Sequence, residues 1–264
     1  MAAEQMKQVY REDDGDLSVL KGRVIGIVGY GNQGRAQALN LRDSGCPILI
    51  GVEDETAVKA QQDGFEAVSF SECAGRADVL FFLLPDEVLP DIYTKRILPA
   101  LGGGQERKAE KSGAATSGKT FCFASGYNIA FDHITPPAEV DVILLAPRMI
   151  GVGVRETFLT GEGFFSFIGV HQNSSGMALA TLLALAKAIG TLKRGAVTVT
   201  MKQEAVLDLF NEQAFGPAFG RVLLTAIDVL LKNGLPPEAV LTERCRREER
   251  TWTYRKIGRH GIDS

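Results

Sequence analysis

The sequence predicts an α/β fold, a doubly wound parallel sheet followed by a smaller all-helical C-terminal domain. Three observations carry this reading. Continuous apolar runs alternate with helical segments through residues 24–200, the pattern of a parallel sheet buried on both faces. The first run stops at a glycine-rich turn that opens a helix. Beyond residue 200 the strand-like runs cease and apolar residues recur at helical spacing. The domains are therefore drawn at 1–200 and 201–264.

The first run, residues 24–28, ends at Gly29, and Gly31 and Gly34 complete a G-x-G-x-x-G pattern. Ala36, Ala38, Leu39 and Leu41 then follow at helical spacing. A strand before the glycines and a helix after them make a dinucleotide fingerprint of the Rossmann type. Gly29 permits the tight turn, Gly31 lets the backbone approach a pyrophosphate, and Gly34 lets the helix pack on the strand. The helix start offers its N–H groups to the phosphates, so Tyr30, Asn32 and Gln33 join the three glycines as cofactor-binding candidates.

A second run, residues 47–52, ends in Glu53-Asp54-Glu55. An acid about 20 residues past the glycines is where a ribose 2′-hydroxyl is bound, and it would repel a 2′-phosphate. Residues 51–56 hold no Arg or Lys, so Glu53 points to NADH, with NADPH kept open by nearby Lys59. Asp54 and Glu55 suit the start of a helix. Strands are next expected at 67–70 and 78–84. The latter run ends at Leu84, Pro85 and Asp86, at the carboxyl end of a strand, where doubly wound folds place ligands.

Residues 88–101 read as a helix, and 102–119, rich in glycine and charge, as a flexible surface insertion. Strands resume at 120–124, 140–146 and 164–170. A helix at 174–189 takes Ser174 or Ser175 as its N-cap, and 196–200 forms a last strand. Helices then run through 202–232 with a break near Gly216-Pro217. A shorter helix covers 237–250, and 251–264 is a basic tail.

With 264 residues, 45% hydrophobic, 23% charged and a net charge of −3, the chain has an ordinary globular composition and no nucleic-acid-binding character. No uninterrupted apolar run reaches the roughly 18 residues that span a membrane. The polar, acidic start (residues 1–16) is no secretory signal. Cys46, Cys73, Cys122 and Cys245 are scattered without a C-x-x-C pair, as reduced thiols of a cytoplasmic protein would be.

Asp208 and Glu212 stand four residues apart on the helical segment, with Glu204 on the same face. Such a pair could hold Mg²⁺, orient a substrate, act as acid and base, or simply face solvent. Longer stretches resolve this choice. Residues 29–45 (Gly-Tyr-Gly-Asn-Gln-Gly-Arg-Ala-Gln-Ala-Leu-Asn-Leu-Arg-Asp-Ser-Gly) resemble the nucleotide loop of ketol-acid reductoisomerases. The likeness continues through Leu-Leu-Pro-Asp-Glu (83–87), Gly-Tyr-Asn-Ile (126–129) and Pro-Pro-Ala-Glu-Val-Asp-Val (136–142). It extends to Ala-Pro-Arg (146–148), Ser-Gly-Met-Ala (175–178) and Asp-Leu-Phe-Asn-Glu-Gln (208–213). It covers roughly residues 18–243. In that family NAD(P)H reduces a 2-keto acid after a Mg²⁺-dependent alkyl shift, in branched-chain amino-acid synthesis. The resemblance implies that Asp208 and Glu212 occupy metal-holding positions.

The departures are as informative. Ser125 stands where the family has His, and Arg148 where it has Lys. Met149-Ile150-Gly151-Val152-Gly153 replaces a Gly-Pro-Gly-His motif. Of the family's later glutamate pair, Glu243 fits the first position, but the second is Arg247, followed by Glu248. The Ser-Asn-Thr substrate motif is absent from this sequence. An alkyl shift needs two metals, and Arg247 puts a cation where one would sit. Hydride transfer needs only a positioned nicotinamide, a carboxylate-binding group such as Arg148, and a proton source. The expectation is a reductase of a small 2-keto acid or imine, its isomerase step lost or weakened. Ser125, Arg148, Asp208 and Glu212 would be catalytic, with Mg²⁺ at the last two if it binds. The alternatives are a genuine Mg²⁺-dependent ketol-acid reductoisomerase and a non-catalytic dinucleotide-binding protein. The apolar face formed by Leu209, Phe219, Leu223 and Ile227 calls for cover, which implies a homodimer.

Overall fold

The computed structural model describes residues 6–101 and 118–245. The chain divides into two compact units, Met1–Ala205 and Val206–Ser264. In the first, β1 (Val9–Tyr10) precedes β2 (Ile25–Val28), α1 (Asn32–Asp43), β3 (Ile48–Gly51), α2 (Thr56–Gln62), β4 (Glu66–Val68), α3 (Phe70–Arg76) and β5 (Val79–Phe82). Next come α4 (Leu89–Ile92), a π-helical turn (Tyr93–Ile97) and α5 (Leu98–Leu101). They are followed by β6 (Thr120–Phe123), α6 (Tyr127–Ala130), β7 (Asp141–Pro147), α7 (Gly151–Leu159), β8 (Ser166–Gln172), α8 (Ala178–Ile189) and β9 (Ala196–Thr198). Then α9 (Met201–Leu209), a second π-helical turn (Phe210–Phe215) and α10 (Gly216–Lys232) form one continuous helix, and α11 (Pro237–Cys245) follows.

The nine strands lie in the order β1-β9-β8-β7-β6-β5-β2-β3-β4. From β2 the chain winds outward through β3 and β4, then returns to place β5 on the other side of β2. The β2/β5 boundary is therefore the topological switch point, where a crevice opens at the carboxyl ends. The sheet is mostly parallel, with β7/β8 and β1/β9 antiparallel. The β7/β8 reversal arises because α7 and its loop return the chain to the edge it left, pairing Pro147 with Ser166.

Every residue of β2, β5 and β6 is buried, which explains the continuous apolar runs. Ile25, Ile27 and Phe81 pack with Leu41 of α1 and Leu182 and Leu185 of α8 on one face. Val28, Leu80, Phe82, Phe121 and Phe123 pack with Cys73 and Ile97 on the other. Each of these large side chains contributes about 1.5–3 kcal/mol by leaving water.

Several boundaries differ from expectation. The strand expected at 67–70 ends at Val68, because Ser69 caps α3 by accepting from the Glu72 N–H (3.2 Å). Neither Ser174 nor Ser175 caps α8, which begins at Ala178. Instead the Ser175 hydroxyl donates to Asp141, and Asn173 Oδ1 accepts from the Ala178 N–H (3.1 Å). The helix at 202–232 does not break at Gly216-Pro217. The π turn directly precedes Pro217, and the widened hydrogen-bond repeat there lets the helix continue past the missing N–H. Strand β1 and helices α3, α6 and α7 had no clear sequence signal. The expected insertion at 102–117 and the tail beyond 245 lie outside the described residues.

The Met201–Lys232 helix is long and apolar enough, by length and composition, to cross a membrane. Val222, Leu224 and Val229 on it are more than half exposed.

Candidate cofactor and substrate site

The glycine loop sits at the switch point. Gly29 adopts φ +98°, a left-handed conformation open to glycine, and a Cβ there would lie 2.9 Å from the Leu83 carbonyl. A Cβ on Gly34 would lie 2.1 Å from the Gly29 carbonyl, so only glycine lets α1 approach the turn. A Cβ on Gly31 would meet nothing within 4 Å. The open side of the loop is thus at Gly31, the position a pyrophosphate requires, and these residues fit a dinucleotide.

Two of the loop's other candidates have side chains engaged elsewhere. Tyr30 was a cofactor candidate, yet its ring is buried and its hydroxyl donates to Asp63 (2.9 Å). Burial pushes the phenol well above its usual range. Arg35 bonds the same carboxylate with two nitrogens (2.6 and 2.8 Å), and this chiefly holds the Asp63 carboxyl below its normal range. Tyr30 therefore anchors α1 to the end of α2, and only its backbone is left for a ligand. The Gln33 amide donates to the Met149 carbonyl (2.8 Å), and a Cβ on Gly151 would lie 2.2 Å from the Asn32 carbonyl. The glycine loop and the segment carrying Arg148 are thus packed together.

Glu53 lies two residues beyond β3, as the fingerprint requires. Residues 51–56 hold no Arg or Lys, but the fold brings a cation to Glu53 from elsewhere. Arg96, on the π turn after α4, places a guanidinium nitrogen 3.1 Å from its carboxylate, and the Phe70 N–H donates to the same group (3.3 Å). Lys59 lies a turn further along α2 and acts on Asp63.

Leu84, Pro85 and Asp86 follow β5, across the switch point from the glycines. Asp86 is bonded by Ser125 Oγ (2.8 Å) and by the Asn128 amide, which reaches both its carboxylate (2.9 Å) and its carbonyl (3.1 Å). Ser125 Oγ in turn accepts from the Tyr127 N–H (3.2 Å). This set ties the end of β5 to the 125–128 turn and holds the Ser125 hydroxyl in a fixed direction.

Arg148 is fixed still more firmly. Its guanidinium is 2.7 Å from Glu204 Oε1 and lies over the Phe167 ring at 5.0 Å. Glu204 is only 1% exposed and also accepts from the Gly126 N–H (2.6 Å). One buried carboxylate therefore joins the Arg148 segment to the Ser125 turn. Glu204 was legible only as a residue sharing a face with Asp208. Its pairing is with Arg148, just beyond β7 and 56 positions away, which no local pattern records. Asn128 had a signal in the Gly-Tyr-Asn-Ile motif, but Arg96 and Phe167 had none.

Asp208 lies in the last turn of α9 and Glu212 in the π turn that follows, both in the second unit with Glu243 of α11. Among the described residues no group of three His, Cys, Asp or Glu side chains is placed to hold a metal ion. Arg247 and Glu248 lie outside the described residues.

A glycine loop open at its middle glycine, an acid at the end of β3 and a fixed polar cluster across the crevice define an NAD(P)H-dependent oxidoreductase. The comparisons carry this to a family. Residues 19–195 match the model of the acetohydroxy acid isomeroreductase NADPH-binding domain, so the chain belongs to the ketol-acid reductoisomerase family. It is 39% identical over 252 residues to a Saccharolobus solfataricus protein named "Putative ketol-acid reductoisomerase 3", covering 94% of this chain and 72% of that one. It superposes with a TM-score of 0.81 at 35% identity on an NADH-preferring ketol-acid reductoisomerase from an uncultured archaeon, covering 98% of this chain and 75% of that one. A Cupriavidus necator semialdehyde dehydrogenase NAD-binding protein matches at TM-score 0.65 and 18% identity, over 90% of this chain and 82% of that one, and shares the fold alone.

Proposed function

We propose that this protein is an NADH-preferring reductase of a small 2-keto acid or imine, with the isomerase step lost or weakened. The carrying observation is the Glu204–Arg148 pair beside the Ser125 turn. It provides a fixed, permanently charged guanidinium and an oriented hydroxyl, and neither depends on a metal. When bound, the nicotinamide supplies hydride to the substrate carbon. The chain's part is to hold the substrate carboxylate through Arg148 and to relay a proton from water to the carbonyl oxygen or imine nitrogen through Ser125, whose hydroxyl turns from Asp86 to the substrate and is reprotonated by that water. Asp208 and Glu212 are assigned to orienting the substrate or relaying that proton, on their match to the family's motif. Glu53 and the NADH preference named for the archaeal relative support NADH.

The exposed apolar residues of α10 support a homodimer in which a second copy covers that helix. Three buried, unpaired cysteines, Cys46, Cys73 and Cys122, support a reducing, cytoplasmic setting.

A genuine Mg²⁺-dependent ketol-acid reductoisomerase is the second reading, favoured by the names of the Saccharolobus solfataricus and archaeal relatives above. One experiment separates the two. Oxidation of NADH is followed with 2-keto acids, cyclic imines and a 2-acetolactate-type substrate, each with Mg²⁺ and with chelator. The first reading expects reduction that survives chelation, is impaired in Asp208→Asn, and is accompanied by little or no alkyl migration. Rapid, Mg²⁺-dependent conversion of the acetohydroxy acid to the dihydroxy acid would establish the second.

A further inference from the structure

The Glu53 side chain does more than mark a ribose position. Two donors from elements distant in sequence converge on its carboxylate: Arg96 at 3.1 Å and the Phe70 N–H at 3.3 Å. The backbone that carries each donor is held by contacts other than those to Glu53. The Ser71 hydroxyl donates to the Arg96 carbonyl (2.9 Å), which fixes the π turn beside α3. A π turn inserts one residue into the helical repeat and so redirects the side chains it carries. A guanidinium and a backbone N–H aimed at one anion form the donor set that phosphate recognition uses, and guanidinium accepts carboxylate and phosphate in the same forked geometry.

We propose that Arg96 and the Phe70 N–H form a latent receptor for a 2′-phosphate, which Glu53 fills with its own carboxylate. The inference rests on the reading of the glycine loop as a dinucleotide site with Glu53 at the adenosine ribose. On this view Glu53 disfavours NADPH in two ways: it repels the phosphate, and it occupies the cation that would neutralise it. Cofactor preference is then set by whether Glu53 stays docked. The switch to NADPH is already present in the chain, at a residue more than forty positions from the loop that conventionally carries it.

NADH and NADPH affinities are measured by fluorescence titration for the wild type, Glu53→Gln, Arg96→Ala and the double variant, with thermal melts confirming that each is folded. Glu53→Gln is expected to tighten NADPH about tenfold or more, with a gain that shrinks as salt rises, because the site is partly exposed. Adding Arg96→Ala is expected to return NADPH affinity to within about threefold of wild type. Arg96→Lys in the Glu53→Gln background should keep part of the gain, since a point charge remains but the fork is lost. A double variant that retains the full gain would overturn the role of Arg96 and implicate another cation such as Lys59. That result would leave the dinucleotide site standing. A wild-type protein that binds neither cofactor would instead remove the site reading, and this proposal with it.

Discussion

The second and third glycines of the fingerprint turn can be separated experimentally, because the fold treats Gly31 and Gly34 differently. A Cβ on Gly34 would stand 2.1 Å from the Gly29 carbonyl oxygen, about 1 Å inside any normal contact, and the obstacle is backbone that no rotamer change can move. Gly34→Ala must therefore shift α1 against β2, at a cost of about 3 kcal/mol or more. In a unit of this size that lowers Tm by about 6–12 °C. Gly31 has an extended backbone, φ −76° and ψ −156°, and a Cβ there meets nothing within 4 Å. Gly31→Val costs the fold only the poorer N-cap, about 1 kcal/mol or less, or some 2–4 °C. Its isopropyl group would, however, fill the space through which the loop backbone meets a pyrophosphate. We expect NADH affinity to fall at least a hundredfold, equivalent to about 2.8 kcal/mol.

The assay pairs differential scanning calorimetry with NADH fluorescence titration on both variants. The expected pattern is crossed: Gly34→Ala loses stability first, and Gly31→Val loses the ligand while remaining folded. A folded Gly31→Val protein that binds NADH within threefold of wild type would refute the placement of the pyrophosphate. A Gly34→Ala protein with unchanged Tm would refute the close approach of α1.

Glu204→Gln removes the charge facing Arg148 and presents an amide to two donors. We expect it to destabilise the first unit by about 2–4 kcal/mol and to reduce kcat/KM, read by calorimetry and steady-state NADH oxidation. Asp63→Asn weakens the clamp on Arg35 and Tyr30 by about 1 kcal/mol, discounted because Arg35 is 42% exposed. Since the folded-state pKa of Asp63 is lowered, this stability is present above the unfolded value near 4. It is lost as pH falls through the folded one, so the two melting curves should converge below about pH 4. Replacing Val222 and Val229 together by Glu on the exposed face of α10 should convert a dimer to monomer in sedimentation; an unchanged dimer would place the interface elsewhere.

The sheet was legible because its central strands are buried on both faces, so β2, β5 and β6 announce themselves as unbroken apolar runs. The glycine turn was legible because backbone geometry alone dictates its residue types. What escaped notice depended on partners distant in the chain. α3 follows β4 after only one residue, Ser69, so the apolar residues of strand and helix merge into one run. Glu204 looked like a surface acid until β7 and the 125–128 turn enclosed it. Arg96 was read as part of an ordinary helix, although the π turn brings it to Glu53. The loop after β3 holds no cation of its own, and the one that reaches Glu53 comes from a distant element: charge complementarity across a crevice is set by topology, whereas sequence spacing records only local neighbours.

The departures at Ser125 and Arg148 form one unit through Glu204, and this shapes what can be concluded from them. A lysine at 148 could pair with Glu204, but it has no planar face to lie over Phe167 and no fork to share between an internal carboxylate and an external one. Arg148 is thus suited to remain fixed by Glu204 and Phe167 while presenting guanidinium charge to a ligand. Ser125, smaller than the family's histidine and uncharged, is oriented by Asp86 and backed by Asn128. It can pass a proton along hydrogen bonds but cannot store a charge near neutral pH. The two substitutions together move the site from titratable groups toward one permanent cation and one oriented hydroxyl. On the proposed reading, such a site would recognise a carboxylate with little dependence on pH and would draw its proton from water or from a carboxylic acid elsewhere in the protein. That combination is adequate for hydride transfer to a carbonyl or imine carbon. Neither side chain is a ligand for the paired metal ions that an alkyl shift demands, so that step, where it occurs, would rest on Asp208, Glu212 and the second unit.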